Sequence, residues 1–236
     1  MVTCQLLITE SVERRAERSK EEEPEDEEEA DERDAENERE ETLIQTIVEC
    51  LGGFFKVYST PLLPLFQELL LECFQAMLQP TAIASDRVAA LCVFDDIIEH
   101  CSQDGGATQY ASTLLPAFLQ YSLDPAVEVR QAAVYGLGVL AQHDNGAAFD
   151  ATAQQHAAQR LIEVIEAPDA FSEDNASASD NAASALGKLC KRSPEIGAVA
   201  LPRWAAKLPL RADKEEARAV HKLLVEFVEA SNTALM

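Results

Sequence analysis

The stretch DPAVEVRQAAVYGLGVLAQH, residues 124–143, decides the fold. Asp124-Pro125 closes one apolar helix and opens the next, because proline fixes φ and aspartate caps free amide groups. Arg130 comes six residues after Asp124, and Ala132, Ala133, Gly136 and Gly138 share the new helix with Val134, Leu137 and Leu140. Small residues at helical spacing let a neighbouring helix come close, as a stack of helix pairs requires.

The pattern recurs on both sides. Apolar spacing and breakers predict helices over 42–58, 61–79, 86–101, 108–122, 127–143, 150–166, 176–192, 195–207 and 213–231. Pro80, the run Gln103-Asp104-Gly105-Gly106, Pro168 and Pro209 separate them, and no period-two run reads as a strand. Aligning second helices puts Arg87 on Arg130, Leu91 on Val134, Phe94 on Leu137 and Ile97 on Leu140, an offset of 43. Ala182, Gly187 and Leu189 fall on Ala133, Gly138 and Leu140 at an offset of 49, and Ala217 and Leu224 on Ala133 and Leu140 at 84. Intervals of 43, 49 and 35 bracket the spacing of HEAT-type pairs. The expected fold is all-α, an α-solenoid of HEAT repeats over 40–231 with about four helix pairs, truncated at both ends. A partial helix at 1–20 precedes it and a tail at 232–236 follows.

Charge is lopsided. Of a net −23, residues 1–42 hold 18 acidic and 6 basic side chains, and the remaining 194 residues hold 24 and 13. The run EEEPEDEEEADERDAENEREE cannot bury a core, so 21–39 is expected as an acidic disordered insertion whose flanks can extend neighbouring helices. An acidic surface repels nucleic acid and anionic membranes and attracts basic proteins. Six cysteines without CxxC or cysteine–histidine spacing imply reduced structural thiols, no metal and an intracellular chain.

No GxSxG, P-loop or HExxH occurs, and the four histidines are scattered, so neither catalysis nor a cofactor is expected. Gly52-Gly53 inside an apolar helix suggests a bend or a close contact. In LCVFDDIIEHC (91–101), Asp95, Asp96 and Glu99 are expected opposite the apolar stripe, where three carboxylates suit lysine or arginine from a partner. The competing reading is a solvated helix face. Asp180 and Asn181 at the head of the next-but-one second helix either cap it or contact a partner's backbone. Asp124 and Arg130 are read as ties between repeats, and Trp204 as an anchor between helices.

Four segments in order, LCVFDDIIEHCS (91–102), EVRQAAVYGLGVLAQ (128–142), SALGKLCK (184–191) and LPRWAAKLPLRADKEEA (201–217), resemble the C-terminal half of the beta-karyopherin (importin-beta) family, above all its beta-three, or importin-five, type. The acidic insertion before the first good helix also fits that type. The resemblance implies a HEAT superhelix with second helices on the concave side, placing Asp95, Asp96, Glu99, Asp180 and Asn181 toward cargo. It implies basic cargo such as nuclear localisation signals, ribosomal proteins and histones, release by Ran-GTP, contact with Phe-Gly nucleoporins, and a location in cytoplasm, nucleus and nuclear pore. The repeats that chiefly bind Ran in this family lie outside the match. A non-transport HEAT scaffold or chaperone for basic proteins stays open beside that reading.

Overall fold

A computed structural model describes residues 1–20, 26–103, 105–144, 148–230 and 234. Eleven α-helices and one 3₁₀ turn account for its regular structure, with no strand among the described residues. Two compact units share the chain, Met1–Val93 and Phe94–Met236, and the chain passes between them within helix α5 (Ala84–Cys101).

In the first unit α1 (Val2–Arg18) packs on α2 (Glu27–Tyr58). Helix α2 corrects the expected disorder for residues 27–39, which form its first turns, while 21–25 lie outside the described residues. The cause is local and tertiary together. Asp26 caps the helix by accepting from Glu29 N at 2.9 Å, and Glu27, Glu28 and Glu29 sit at its positive end. Arg14 then grips Glu40 with two donors (2.6 and 2.9 Å), and Arg18 donates to Asn37 at 3.0 Å. The Arg14 hydrogen bond, the largest influence, outweighs burial and holds the Glu40 carboxyl down at about 2. Charge that looked unable to order itself is ordered by arginines one helix away. Because α1 thereby gains a partner, the described chain holds a helix pair that the count of about four pairs omitted.

The helix expected over 61–79 divides into a 3₁₀ turn (Thr60–Leu62), α3 (Leu63–Leu69) and α4 (Leu71–Met77). Leu70, fully buried at φ −125°, makes the break. A continuous helix would hold Phe66 and Phe74 about 12 Å apart along its axis. The break brings their rings to 6.0 Å, and Phe55 packs edge-on to Phe66 at 5.6 Å.

The second unit stacks α6 (Thr108–Tyr121), α8 (Ala151–Glu166) and α10 (Pro194–Ala205) in one layer. The other layer holds the end of α5, then α7 (Val127–His143), α9 (Ala176–Arg192) and α11 (Lys214–Glu229). Small residues let side chains of both layers come against the α7 and α9 backbones. A Cβ on Gly136 would run into the Phe118 ring and come within 2.6 Å of Asp95 Oδ1, so the α7 backbone lies directly against both. A Cβ on Gly187 would lie 3.0 Å from the Trp204 ring. Trp204 itself is fully buried, donates from Nε1 to the Ala183 carbonyl at 2.8 Å and meets Phe227 edge-on at 5.7 Å. In α11 the buried stripe is Val220, Leu223 and Phe227, one position off the register that paired Leu224 with Leu140.

Gly53 is a different case. Nothing lies within 4 Å of a Cβ built there and α2 continues through it unbroken, so the close contact expected at Gly53 is not made. Gly136→Ala should therefore cost about 1–3 kcal/mol through overpacking, whereas Gly53→Ala should gain about 0.5–1 kcal/mol from lower unfolded-state entropy. Denaturant titration of both variants checks the opposite signs. Separately, Glu40→Gln should speed amide hydrogen exchange over residues 27–40 while leaving exchange in α7 and α9 unchanged.

Candidate functional site

Helix α5 carries the three carboxylates singled out above, but they do not form one surface. Asp95 is only 3% exposed, which corrects its placement on the solvent face. Its Oδ1 is buried against Gly136 with no hydrogen-bond partner. Burial above all, with Asp96 and Glu99 adding repulsion, raises its carboxyl well above the ordinary range, which favours the protonated form. Asp95 belongs to the helix interface, not to a binding patch.

Asp96 and Glu99 remain half-exposed on the neighbouring face. Burial pushes Asp96 up to about 6, with His100 drawing it down and Glu99 driving it further up. His100 Nε2 stands 3.9 Å from Asp96, one turn along the helix. Tyr135, on α7, donates its hydroxyl to Glu99 Oε2 at 3.2 Å. Burial, then the Glu99 charge, raises the Tyr135 hydroxyl, and burial lowers His143 on the same helix. Neither Asp96 nor Glu99 has a lysine or arginine within 4.0 Å among the described residues. The pair is therefore an electronegative patch with open coordination for a cation.

Asp180 and Asn181 lie elsewhere and are already employed. Asp180 is 1% exposed, and its Oδ2 accepts from the amides of Arg211, Ala212 and Asp213 at 2.9, 2.7 and 3.0 Å. Asn181 donates to Asp213 Oδ2 at 3.0 Å and to the Ser177 carbonyl at 2.9 Å. Both fix the turn into α11, whose cap is Asp213, and this corrects their assignment to cargo contact. Arg130 does tie repeats: it donates to the Asp124 main-chain carbonyl at 2.6 Å and to Asn175 at the head of α9. Asp124 Oδ1 in turn accepts from Ala126 N at 2.9 Å.

Arg192 is a tie that the sequence reading missed. It donates to the Asp144 and Ala141 carbonyls (2.6 and 3.3 Å) at the end of α7 and lies over the Phe149 ring. A basic residue in the last turn of α9 gave only a generic dipole signal. No disulfide joins the six cysteines; Cys101 and Cys190 are buried, which pushes their thiols up to about 11 and about 12, while Cys50 is exposed. Among the described residues no helix is long and apolar enough to cross a membrane, and no acidic, histidine or cysteine group is arranged to hold a metal.

Losing a buried charge has a measurable sign. Folded Asp95 holds its proton to higher pH than the unfolded carboxyl, near 3.9, so its stabilisation is full below that value and falls as pH rises toward the folded value. Asp95→Asn should flatten the fall in melting temperature as pH rises above about 4, leaving the slope up to about 6 that belongs to Asp96.

Comparison with known proteins places these elements. The family model for importin repeat 6 matches residues 1–80, and that for the HEAT repeat matches residues 114–144. Importin subunit beta-3 of Saccharomyces cerevisiae (strain ATCC 204508 / S288c) is 25% identical over 146 residues, 60% of this chain and 13% of that protein. Crystal structures of Kap121p resemble the fold. The complex with Ste12p gives a TM-score of 0.76 at 21% identity, covering 95% of this chain and 20% of that one. The complex with RanGTP gives 0.72 at 22% identity, covering 86% and 19%. The chain thus spans about an eighth of its curated relative and about a fifth of the solved chains.

Proposed function

Because the chain belongs to the beta-karyopherin family, we propose that it forms part of a nuclear import receptor whose Asp96–Glu99 patch takes lysine or arginine side chains of a basic cargo. The observation that carries this reading is the pair of half-exposed carboxylates with no lysine or arginine within 4.0 Å among the described residues, fixed by Tyr135 and the α5 backbone. Incoming cations would draw the Asp96 carboxyl back down and offset the repulsion within the pair. The relatives support the general role: Kap121p has been crystallised with RanGTP, with the SUMO protease Ulp1p and with Nup53p. Ran-GTP and Phe-Gly nucleoporins are proposed partners of the full-length receptor, in cytoplasm, nucleus and pore. The role is one of binding, with no catalytic step and no cofactor.

The groove between α8 and α10 supports the nucleoporin part. It offers about 490 Å³ lined by Ile162, Ile196 and Val199, the last 69% exposed, enough apolar wall for a phenylalanine ring. A scaffold or chaperone for basic proteins would share the acidic patch but would ignore both Ran-GTP and Phe-Gly repeats in pull-downs.

Asp96→Asn with Glu99→Gln should weaken a lysine-rich cargo peptide roughly tenfold at physiological salt without lowering the melting temperature. Affinity should also fall as pH drops through about 6, because protonating Asp96 removes one of the two charges. Isothermal titration at pH 7.5 and pH 5.5, values set on either side of about 6, reads both effects. An unchanged affinity in the double variant removes the site assignment.

A further inference from the structure

Four cations converge on the layer formed by α7, α9 and α11: Lys188, Lys191, Arg192 and Lys222 line an open groove of about 540 Å³, with Glu226 as its single acidic lining residue. They stand in a chain with 19 basic and 42 acidic side chains, where a cationic island is against the average. On α9, Lys188, Lys191 and Arg192 share one face at spacings of three and four, an arrangement that costs stability through like-charge repulsion.

Structural duties explain part of this. Arg192 caps the α7 carbonyls, Lys188 pairs with Glu216 at 3.3 Å, and Lys191 pairs with Glu226 at 2.7 Å. Lys191 and Arg192 also complement the negative end of α9. None of these duties covers Lys222. It projects from the middle of α11, is exposed, and has no carboxylate within 4.0 Å among the described residues. Its charge faces the same groove, and its field helps hold Glu226 low, after the Lys191 hydrogen bond that is the main cause.

We infer that this groove binds an acidic peptide segment of a partner protein, separate from the cation-seeking patch on α5. Charge complementarity selects the acid. Between the cations the lining is apolar, from Ala141, Ala219 and Leu223, which suits carboxylates spaced by small or apolar residues. Gln142 adds an amide that can pair with an extended backbone. Glu226 weighs against a continuous polyphosphate, which would bring dense negative charge across it. A peptide can place a gap there. The Lys191–Glu226 pair is exposed and reopens at little cost, freeing Lys191 for the ligand.

The test is fluorescence anisotropy with a labelled peptide of glutamates spaced by leucine and glycine, and a control carrying glutamine for glutamate. The acidic peptide should bind in a salt-sensitive way and the control should not. Lys222→Glu, at an exposed side chain that holds nothing in place, should weaken the acidic peptide roughly tenfold with an unchanged melting temperature. Lys191→Gln with Lys222→Gln gives the same direction without introducing new charge. Equal binding of the two peptides, or unaltered affinity in both variants, overturns the proposal. Tighter binding of inorganic polyphosphate than of the peptide, lost in the same variants, overturns the peptide and assigns the groove to phosphate.

Discussion

Close approach of neighbouring elements to the α7 and α9 backbones is the constraint on which the second unit rests. At Gly136 there is no room for even a methyl group between α7 and the pair Phe118 and Asp95. Gly138 is similarly close to Ala185, with 3.0 Å left for a Cβ. Helices held this near bury their apolar stripes almost completely: Val134, Leu137 and Leu140 of α7 and Leu186 and Leu189 of α9 are all lost to solvent. At such spacing interiors pack as tightly as organic crystals, so small volume changes are felt at once. Charged groups drawn into the seam must then be paired or shifted toward their neutral form, and burial shifts Asp95 that way.

Polar ties complete what close packing starts. Arg130 reaches forward to Asn175, Asp180 gathers three amides of the next turn, and Arg192 reaches back to the last carbonyls of α7. Such contacts consume charges that a sequence reading would assign to the surface. What remains available is graded along the layer. Acid is left open at Asp96 and Glu99, Tyr135 stands between, and base gathers at Lys188, Lys191 and Lys222. A layer with both signs can discriminate among partners by charge pattern and not only by net charge.

Helix positions and the stacked architecture were legible because apolar period and breakers are local signals. Helix α7 ends where the sequence places it, at Val127 and His143, and Trp204 is the anchor its surroundings suggested. The acidic start of α2 was not legible, because its order depends on Arg14 and Arg18 in another helix. Asp95 could have been found. The offset of 43 puts it on Gly138, and 49 more puts it on Gly187, both positions that meet a neighbouring element at van der Waals range. Helix-wheel reasoning saw a charged residue opposite an apolar stripe and overlooked that a stacked helix is covered on a second side. Asp180 failed for the same reason, since its acceptors' partners lie about thirty residues away in the turn before α11.

The reach of Arg192 back onto α7 gives the array a mechanical direction. The carbonyls that α7 leaves open at its end are closed by α9, and the turn before α11 is closed by α9 as well. Pulling α11 away breaks three amide contacts at Asp180 but leaves the end of α7 closed. Removing α9 opens both sides together. Under tension on α11 the second unit would therefore lose the Asp180 contacts while the end of α7 stays closed by α9. A helical stack wired this way can yield at α11 while its middle pairs stay rigid.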